Sequence, residues 1–329
     1  MTAGLQVSVA LCTYNGARFV RAQIESILRQ VPRPAQLIVS DDGSTDGTLA
    51  IVLELAGSSL ADGVDVVVLT GDEPLGVTRN FQRAVSAADG ALIALSDQDD
   101  VWHEGRLQRI VARFASDDAL LLVHTDADLV DAAGVPLGRT LFESLEIAPE
   151  ELGAELAGRA FDAFIRRNLA TGATVVFRRR LLESTLPFAD GWVHDEWLAV
   201  VAAAVGRVEV LPESTIDYRQ HDANQIGVAA PTLARKVRRV LEPRGGRNAV
   251  LAARFAALAD RLATLGDRVP PALLETAREK ARFEAERAGL PANRLRRPAG
   301  VLRIAAGGRY SRYASRGRAD IVRDLLQPA

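Results

Sequence analysis

The stretch ALIALSDQDD, residues 91–100, joins an aliphatic run, Ala91 to Leu95, to an acidic turn, Ser96-Asp97-Gln98-Asp99-Asp100. The run is apolar throughout rather than alternating, as suits a strand covered on both faces of a sheet. Similar runs recur earlier and later: Val7 to Leu11, Leu37 to Ser40, Val64 to Leu69 and Leu120 to His124. Amphipathic stretches lie between them, at Arg18 to Gln30, Thr45 to Leu55, Thr78 to Ala88 and Glu104 to Phe114. Strands alternating with helices of this length predict βαβ units, hence an α/β fold on a mostly parallel sheet with helices on both faces. In such sheets a ligand sits beyond the carboxyl ends of the strands. Those ends are polar here: Thr13-Tyr14-Asn15, then Asp41-Asp42-Gly43-Ser44-Thr45-Asp46, then the acidic turn.

Composition sets outer limits. The 329 residues are 48% hydrophobic and 25% charged, which excludes a disordered or fibrous chain. A chain of this length buries a full core without covalent staples. Cys12 is the only cysteine, so neither an intrachain disulfide nor a cysteine-based zinc site can form. No basic segment precedes the first strand-like run, and no apolar run reaches the roughly 18 residues of a membrane span. A cytoplasmic protein is therefore expected, with no nucleic-acid partner.

The acidic turn has two readings. Asp97-x-Asp99-Asp100 at a strand end can hold a hard cation such as Mg²⁺ or Mn²⁺ and leave positions open for diphosphate oxygens. It can equally be a solvated turn that caps the helix after Glu104. Asp41 to Asp46, taken alone, reads as a tight turn with a helix cap. No strand end carries a Gly-x-Gly-x-x-Gly or Gly-Lys-Ser/Thr loop, so a phosphate would need another holder. Two acidic strand ends point to a divalent cation.

Four segments occur in order: Cys12-Thr13-Tyr14-Asn15, Ser40 to Asp46, Gly76-Val77-Thr78-Arg79-Asn80, and Leu95 to Trp102. The series resembles the family 2 glycosyltransferases of the GT-A fold. Ala170-Thr171-Gly172-Ala173, His194-Asp195-Glu196-Trp197 and Tyr218-Arg219-Gln220-His221 are similar to the bacterial rhamnosyltransferase-like branch of that family. The resemblance covers residues 5 to 228. It implies a nucleotide-diphospho-sugar donor (dTDP- or UDP-linked) and a glycan or lipid-linked acceptor in cell-surface polysaccharide synthesis. It further implies that Thr13, Tyr14, Asn15 and Asp42 line the nucleotide site with Arg79 nearby, and that Asp97 faces the ribose or donor sugar. Asp99 would be the main metal ligand, His221 a further one, and Asp195 the base that deprotonates the acceptor hydroxyl. A UDP-hexose donor is the alternative within the enzyme class, and a non-catalytic sugar-nucleotide-binding protein is the alternative outside it.

Neighbouring residues carry weaker signals. His194 at a helix start is expected at the surface, and His103 and His124 as local hydrogen-bonding groups. Trp102 is expected in the core rather than beneath a sugar. Thr171-Gly172 reads as a close backbone approach to a ligand or as a plain turn.

Beyond residue 130, Glu150 to Phe164 and Asp195 to Val205 read as helical and Ala173 to Phe177 as a strand. From Pro231 onward Leu251, Phe255, Leu258, Leu262 and Leu265 form one helical stripe. The expected division is a catalytic domain over residues 1–228, with a nucleotide-binding half to about residue 115 and an acceptor-binding half over 116–228. A basic helical region follows over 229–329. From Thr232 to Ala329 there are 22 Lys+Arg against 9 Asp+Glu, although the whole chain carries a net charge of −2. Leu233 to Leu241 sets a basic face beside an apolar one, and arginines from Arg294 to Arg318 extend it. Such a region can attach peripherally to an anionic membrane. Alternatively the apolar stripe packs on the catalytic domain, or on a second copy of the chain as a homodimer, and leaves the arginines solvated.

Overall fold

The computed structural model describes residues 5–71, 73–222, 243 and 245–328. Among the described residues nine strands form one sheet in the order β3-β2-β1-β4-β8-β6-β9-β5, with β7 paired to β6. Strands β1 (Val7–Thr13), β2 (Gln36–Asp41), β3 (Asp65–Leu69) and β4 (Leu92–Ser96) are mutually parallel. Helices α1 (Val20–Leu28), α2 (Thr48–Ala56) and α3 (Val77–Ser86) connect them. The chain leaves β1 toward β2 on one side and returns to β4 on the other. The switch point thus lies at the carboxyl ends of β1 and β4, where a crevice is expected.

The far half of the sheet is mixed. Strand β6 (Leu120–Val130) follows α4 (Arg106–Ser116) and runs in the sense of β4, but β8 (Val176–Arg178) lies antiparallel between them. Strand β9 (Arg207–Arg219) is parallel to β6; β5 (Val101–Trp102) and β7 (Pro136–Thr140) are antiparallel additions. The expected helix Glu150 to Phe164 is two helices, Pro149–Leu156 and Ala160–Phe164, separated at Gly158, whose φ of +73° no helix accommodates. The expected strand Ala173 to Phe177 begins as a 3₁₀ turn, Gly172–Thr174, and only its second half enters the sheet.

Both faces of the parallel half are covered. Val9 and Leu11 pack with Ile24, Ile27, Leu37 and Phe114 on one side; Ala10 packs with Phe81, Ile93, Leu95 and Trp197 on the other. This is why the strands read as unbroken apolar runs.

The apolar stripe of helix Arg247–Thr264 packs on the core that covers one face of the sheet. Phe255, Leu258 and Leu262 are buried in the core that holds Trp192 and Trp197, and the Phe255 ring meets Trp192 edge-on at 5.3 Å. Each such side chain contributes about 1.5–3 kcal/mol of burial. Arg294, Arg296, Arg303, Arg312, Arg316 and Arg318 are exposed, as the packing reading expects, but Arg297 and Arg287 are not. Arg297 is fully buried and donates to the carbonyls of Pro291, Ala292 and Gln327 at 2.6–2.7 Å. Arg287, equally buried, forms a forked pair with Asp324 (2.7 and 3.0 Å), and Tyr310 donates to the same carboxylate at 2.7 Å. The segment Leu233 to Leu241 and the boundary at 228/229 lie outside the described residues. No helix among the described residues is long and apolar enough to cross a membrane.

Removing the Asp324 carboxylate leaves buried Arg287 and Tyr310 short of an acceptor. Asp324→Ala should therefore cost about 3–5 kcal/mol, read as a lower urea midpoint of the C-terminal helices. A midpoint equal to the wild type's would show that the pair does not hold them.

Candidate active site

Three strand ends interlock at the switch point. Thr13 Oγ1 donates to Asp41 Oδ1 at 2.7 Å, tying β1 to β2. Asn15 takes a left-handed φ of +47°, which asparagine tolerates better than most residues. Its amide donates to Ser44 Oγ and its side-chain oxygen accepts from the Thr45 amide, both at 2.8 Å. Gln98 spans the crevice to β1, accepting from the Tyr14 N–H (2.8 Å) and donating to the Tyr14 carbonyl (3.0 Å). The Tyr14 ring itself is exposed.

Asp42 is buried, and its two carboxylate oxygens accept from the amides of Leu75 (2.7 Å) and Gly76 (2.9 Å). It thereby draws the loop before α3 over the end of β2. Arg79, on the first turn of α3, is half-exposed and paired with Asp190 at 2.6 Å. Arg83, one turn further on, is a residue that sequence reasoning missed. It donates to Ser40 Oγ (2.8 Å) and to the Asp41 carbonyl (2.6 Å), placing a cation behind the acidic loops. Its signal was available in the α3 periodicity, four residues after Arg79.

The acidic turn separates into distinct parts. Asp100 is buried, accepts from the Arg219 amide at 3.0 Å, and has one oxygen without a partner. Burial, then Asp99 and Asp97, raise its pKa well above the usual carboxylate range. It is no solvated cap: α4 begins after Gly105 with no side-chain capping bond. Asp97 is half-buried, and burial, Asp99 and Asp195 raise its pKa to about 7. Asp99 Oδ2 meets His221 Nε2 at 2.8 Å, across 122 positions of sequence. His221 stacks on Phe19 with ring centroids 4.7 Å apart. Arg219 donates to the Asp99 carbonyl at 2.7 Å and lies over the same Phe19 ring. A carboxylate oxygen and an imidazole nitrogen side by side form a donor pair that suits Mn²⁺ or Mg²⁺.

Asp195 is buried in the first turn of helix His194–Val205, where the helix N-terminus favours a negative charge. Its Oδ2 accepts from the Gly172 amide (2.9 Å) and its Oδ1 from the Glu196 amide (2.6 Å). Burial and then the neighbouring Glu196 nevertheless raise its pKa to about 7. Electrostatic coupling to Asp97 places it at the same site as the acidic turn.

His194 corrects the expectation of a surface histidine. It is buried against Phe81, rings stacked at 3.9 Å, and burial lowers its pKa to about 3, so it is neutral. Trp102 is core, as expected. His124 pairs with buried Glu155 at 2.7 Å, and His103 with Asp217 at 2.8 Å. The second pair, with Asp128, makes another group whose ligand atoms lie within 4.8 Å of one another.

Over residues 8–182, more than half of its length, the chain matches the sequence model of glycosyl transferase family 2. An uncharacterized glycosyltransferase of Nostoc sp. is 27% identical over 228 residues, covering 67% of this chain and 66% of that protein, just under two thirds. The dTDP-rhamnosyl transferase RfbG of Shigella flexneri is 26% identical, covering 66% of this chain and 73% of the relative. The Escherichia coli UDP-Glc:alpha-D-GlcNAc-diphosphoundecaprenol beta-1,3-glucosyltransferase WfgD is 26% identical, covering 59% and 69%. Among solved structures, S. aureus TarS 1-349 in complex with UDP-GlcNAc superposes with a TM-score of 0.58 at 16% identity, covering 98% of this chain and 90% of that one. The mannosyltransferase PcManGT from Pyrobaculum calidifontis, in complex with GDP-Man and Mn²⁺, gives 0.53 at 20% identity, covering 93% and 77%. At these identities the structural likeness shows the fold alone, the GT-A arrangement.

Gly172 is where the backbone of a distant segment meets Asp195. A Cβ there would come within 2.9 Å of His194 Nε2 and 3.6 Å of Asp195 Oδ2, and the stacked His194 ring cannot turn aside. Gly172→Ala should leave the fold intact and reduce transferase activity by about 10²-fold through displacement of Asp195. Wild-type activity would show that the Gly172–Asp195 contact does not set the position of the carboxylate.

Proposed function

The chain belongs to glycosyl transferase family 2, and we propose that it catalyses metal-dependent, inverting transfer of a sugar from a nucleoside-diphosphate donor. The observation that carries this reading is the meeting of Asp99 and His221 at 2.8 Å beside Asp97 and Asp195. Asp99 and His221 would hold Mg²⁺ or Mn²⁺. When bound, the ion supplies Lewis-acid stabilisation of the departing diphosphate.

The chain's own groups account for the rest. Thr13, Tyr14 and Asn15 form the floor of the nucleotide site. Asp42, each of whose oxygens keeps a free lone pair, accepts from the base edge, with Arg79 at its rim. Asp97 faces the ribose or the donor sugar. Asp195, held by two backbone amides, takes the proton from the acceptor hydroxyl as that oxygen attacks the anomeric carbon. A single displacement of this kind inverts the configuration.

The favoured donor is dTDP-rhamnose and the favoured acceptor a glycan or lipid-linked glycan of bacterial surface polysaccharide, supported by the name of the RfbG relative. A UDP-hexose donor is the second reading, supported by the name of WfgD at equal identity. Peripheral attachment of the basic C-terminal region to an anionic membrane belongs to the same proposal. Vesicle flotation that requires anionic lipid and weakens with salt supports it, and flotation that ignores lipid charge removes it.

Asp99→Ala, or EDTA on the wild type, should abolish transfer and weaken nucleotide binding. Full turnover in EDTA would overturn the metal assignment. Asp195→Asn keeps the shape and loses the proton acceptor, so binding should persist while kcat falls roughly 10²- to 10⁴-fold. Because Asp195 must be ionised to act and its pKa lies near 7, kcat/KM should fall about tenfold per pH unit below 7. That acid limb should be missing from the residual activity of Asp195→Asn. A limb unchanged in the variant would assign the base elsewhere.

A further inference from the structure

Between the start of helix His194–Val205 and the C-terminal helices lies a pocket of about 130 Å³. Six basic side chains line it, Arg166, Arg167, Arg247, Arg254, Lys280 and Arg287, against two carboxylates, Glu196 and Glu284. Most of these cations have a carboxylate of their own. Arg254 pairs with Glu196, Lys280 with Glu284 at 2.7 Å, Arg287 with Glu284 and Asp324, and Arg167 with Glu151.

Two do not. Among the described residues Arg247 forms no ion pair, and its side chain reaches only Asn248 Oδ1 at 3.3 Å. Arg166 stands 3.9 Å from a Glu151 carboxylate that Arg167 already engages. In addition, the Nε–H groups of Arg166 and Arg254 are buried with no acceptor. Buried donors left unpaired are costly, and guanidinium groups that share a carboxylate or have none in direct contact match an anion with several oxygens.

The position says which substrate carries that anion. Glu196 lines the pocket, and its amide is bonded to Asp195 Oδ1 at 2.6 Å, so the pocket begins one residue from the proposed base. The donor's diphosphate is already assigned to Asp99 and His221, at the ends of β4 and β9. We infer that the pocket binds a phosphoryl group of the acceptor, making the acceptor a phosphate-bearing glycan or lipid rather than a neutral sugar. This rests on the transferase reading with Asp195 as base.

The test uses the full chain with Mn²⁺ and saturating dTDP or UDP, which blocks the donor site, and titrates phenyl phosphate calorimetrically. Phenyl phosphate should bind, and neutral phenyl glucoside should not compete. Arg247→Glu should weaken phenyl phosphate by about tenfold or more, as should Arg166→Gln in part, while nucleotide affinity reports that each variant is folded. Absence of phenyl phosphate binding in the wild type would overturn the inference, as would affinity indifferent to Arg247→Glu or full competition by the nucleotide. A wild type that binds no nucleotide with Mn²⁺ would instead overturn the transferase reading, and the two failures are thus separate. With the pocket established, competition by a decyl diphosphate assigns the phosphate to a lipid carrier, and competition by a glycerol phosphate oligomer assigns it to a glycan.

Discussion

Four carboxylates, Asp97, Asp99, Asp100 and Asp195, gather at one end of the sheet, and their mutual repulsion is the constraint that the surrounding structure satisfies. Burial first, and then the charges of Asp99 and Asp195, raise the Asp97 pKa to about 7, and burial and all four acids oppose ionisation of the Tyr218 hydroxyl. The chain offsets the repulsion locally. Arg219 gives its backbone amide to Asp100 and its guanidinium to the Asp99 carbonyl. Two backbone amides and a helix N-terminus face Asp195. None of these places a full positive charge between Asp99 and His221, and on the proposed reading that is the share left to the divalent ion.

The same repulsion explains why the strand ends are so heavily cross-tied. Like charges move apart unless their backbone is held, and the holders here are neutral: Thr13 on Asp41, Asn15 on the Ser44–Thr45 turn, and Gln98 on Tyr14. Amide and hydroxyl ties keep the geometry without neutralising the site. A lysine or arginine in their place would anchor as well, but it would also compete with a metal ion for the carboxylates. Arg83 and Arg219 are exceptions, and their guanidinium groups bond neutral oxygens: Arg83 on Ser40 and the Asp41 carbonyl, Arg219 on the Asp99 carbonyl.

The parallel half of the fold was legible because burial on both sheet faces leaves an unbroken apolar run, and its polar strand ends located the site. Strand β9 was not legible. Its sequence RVEVLPESTIDYR carries a proline, three acidic residues, a serine and a threonine, because part of the strand faces solvent. The solvated-cap reading of Asp100 and the surface reading of His194 fail for a common reason. Both are polar residues at element ends, which usually face water; here Arg219 covers one and Phe81 the other, contacts spanning about 120 and 110 positions of sequence. The pairing of Asp99 with His221 came from resemblance alone, since no local pattern joins two residues so far apart.

The split between donor and acceptor sides follows from where each is built. Residues matched by the family model end at 182, and they supply the strand ends where the nucleotide is proposed to lie. Asp195 and His221 come from beyond that point, as do Arg247, Arg254, Lys280 and Arg287 of the basic pocket, whereas its Arg166 and Arg167 come from before it. The pocket is completed by the C-terminal helices, which Phe255, Leu258 and Leu262 lock onto the core. The parts proposed to recognise the donor are thus held at the ends of the sheet, with His221 just beyond the end of β9. Those proposed to recognise the acceptor sit on a separately packed layer that can vary without disturbing the metal ligands.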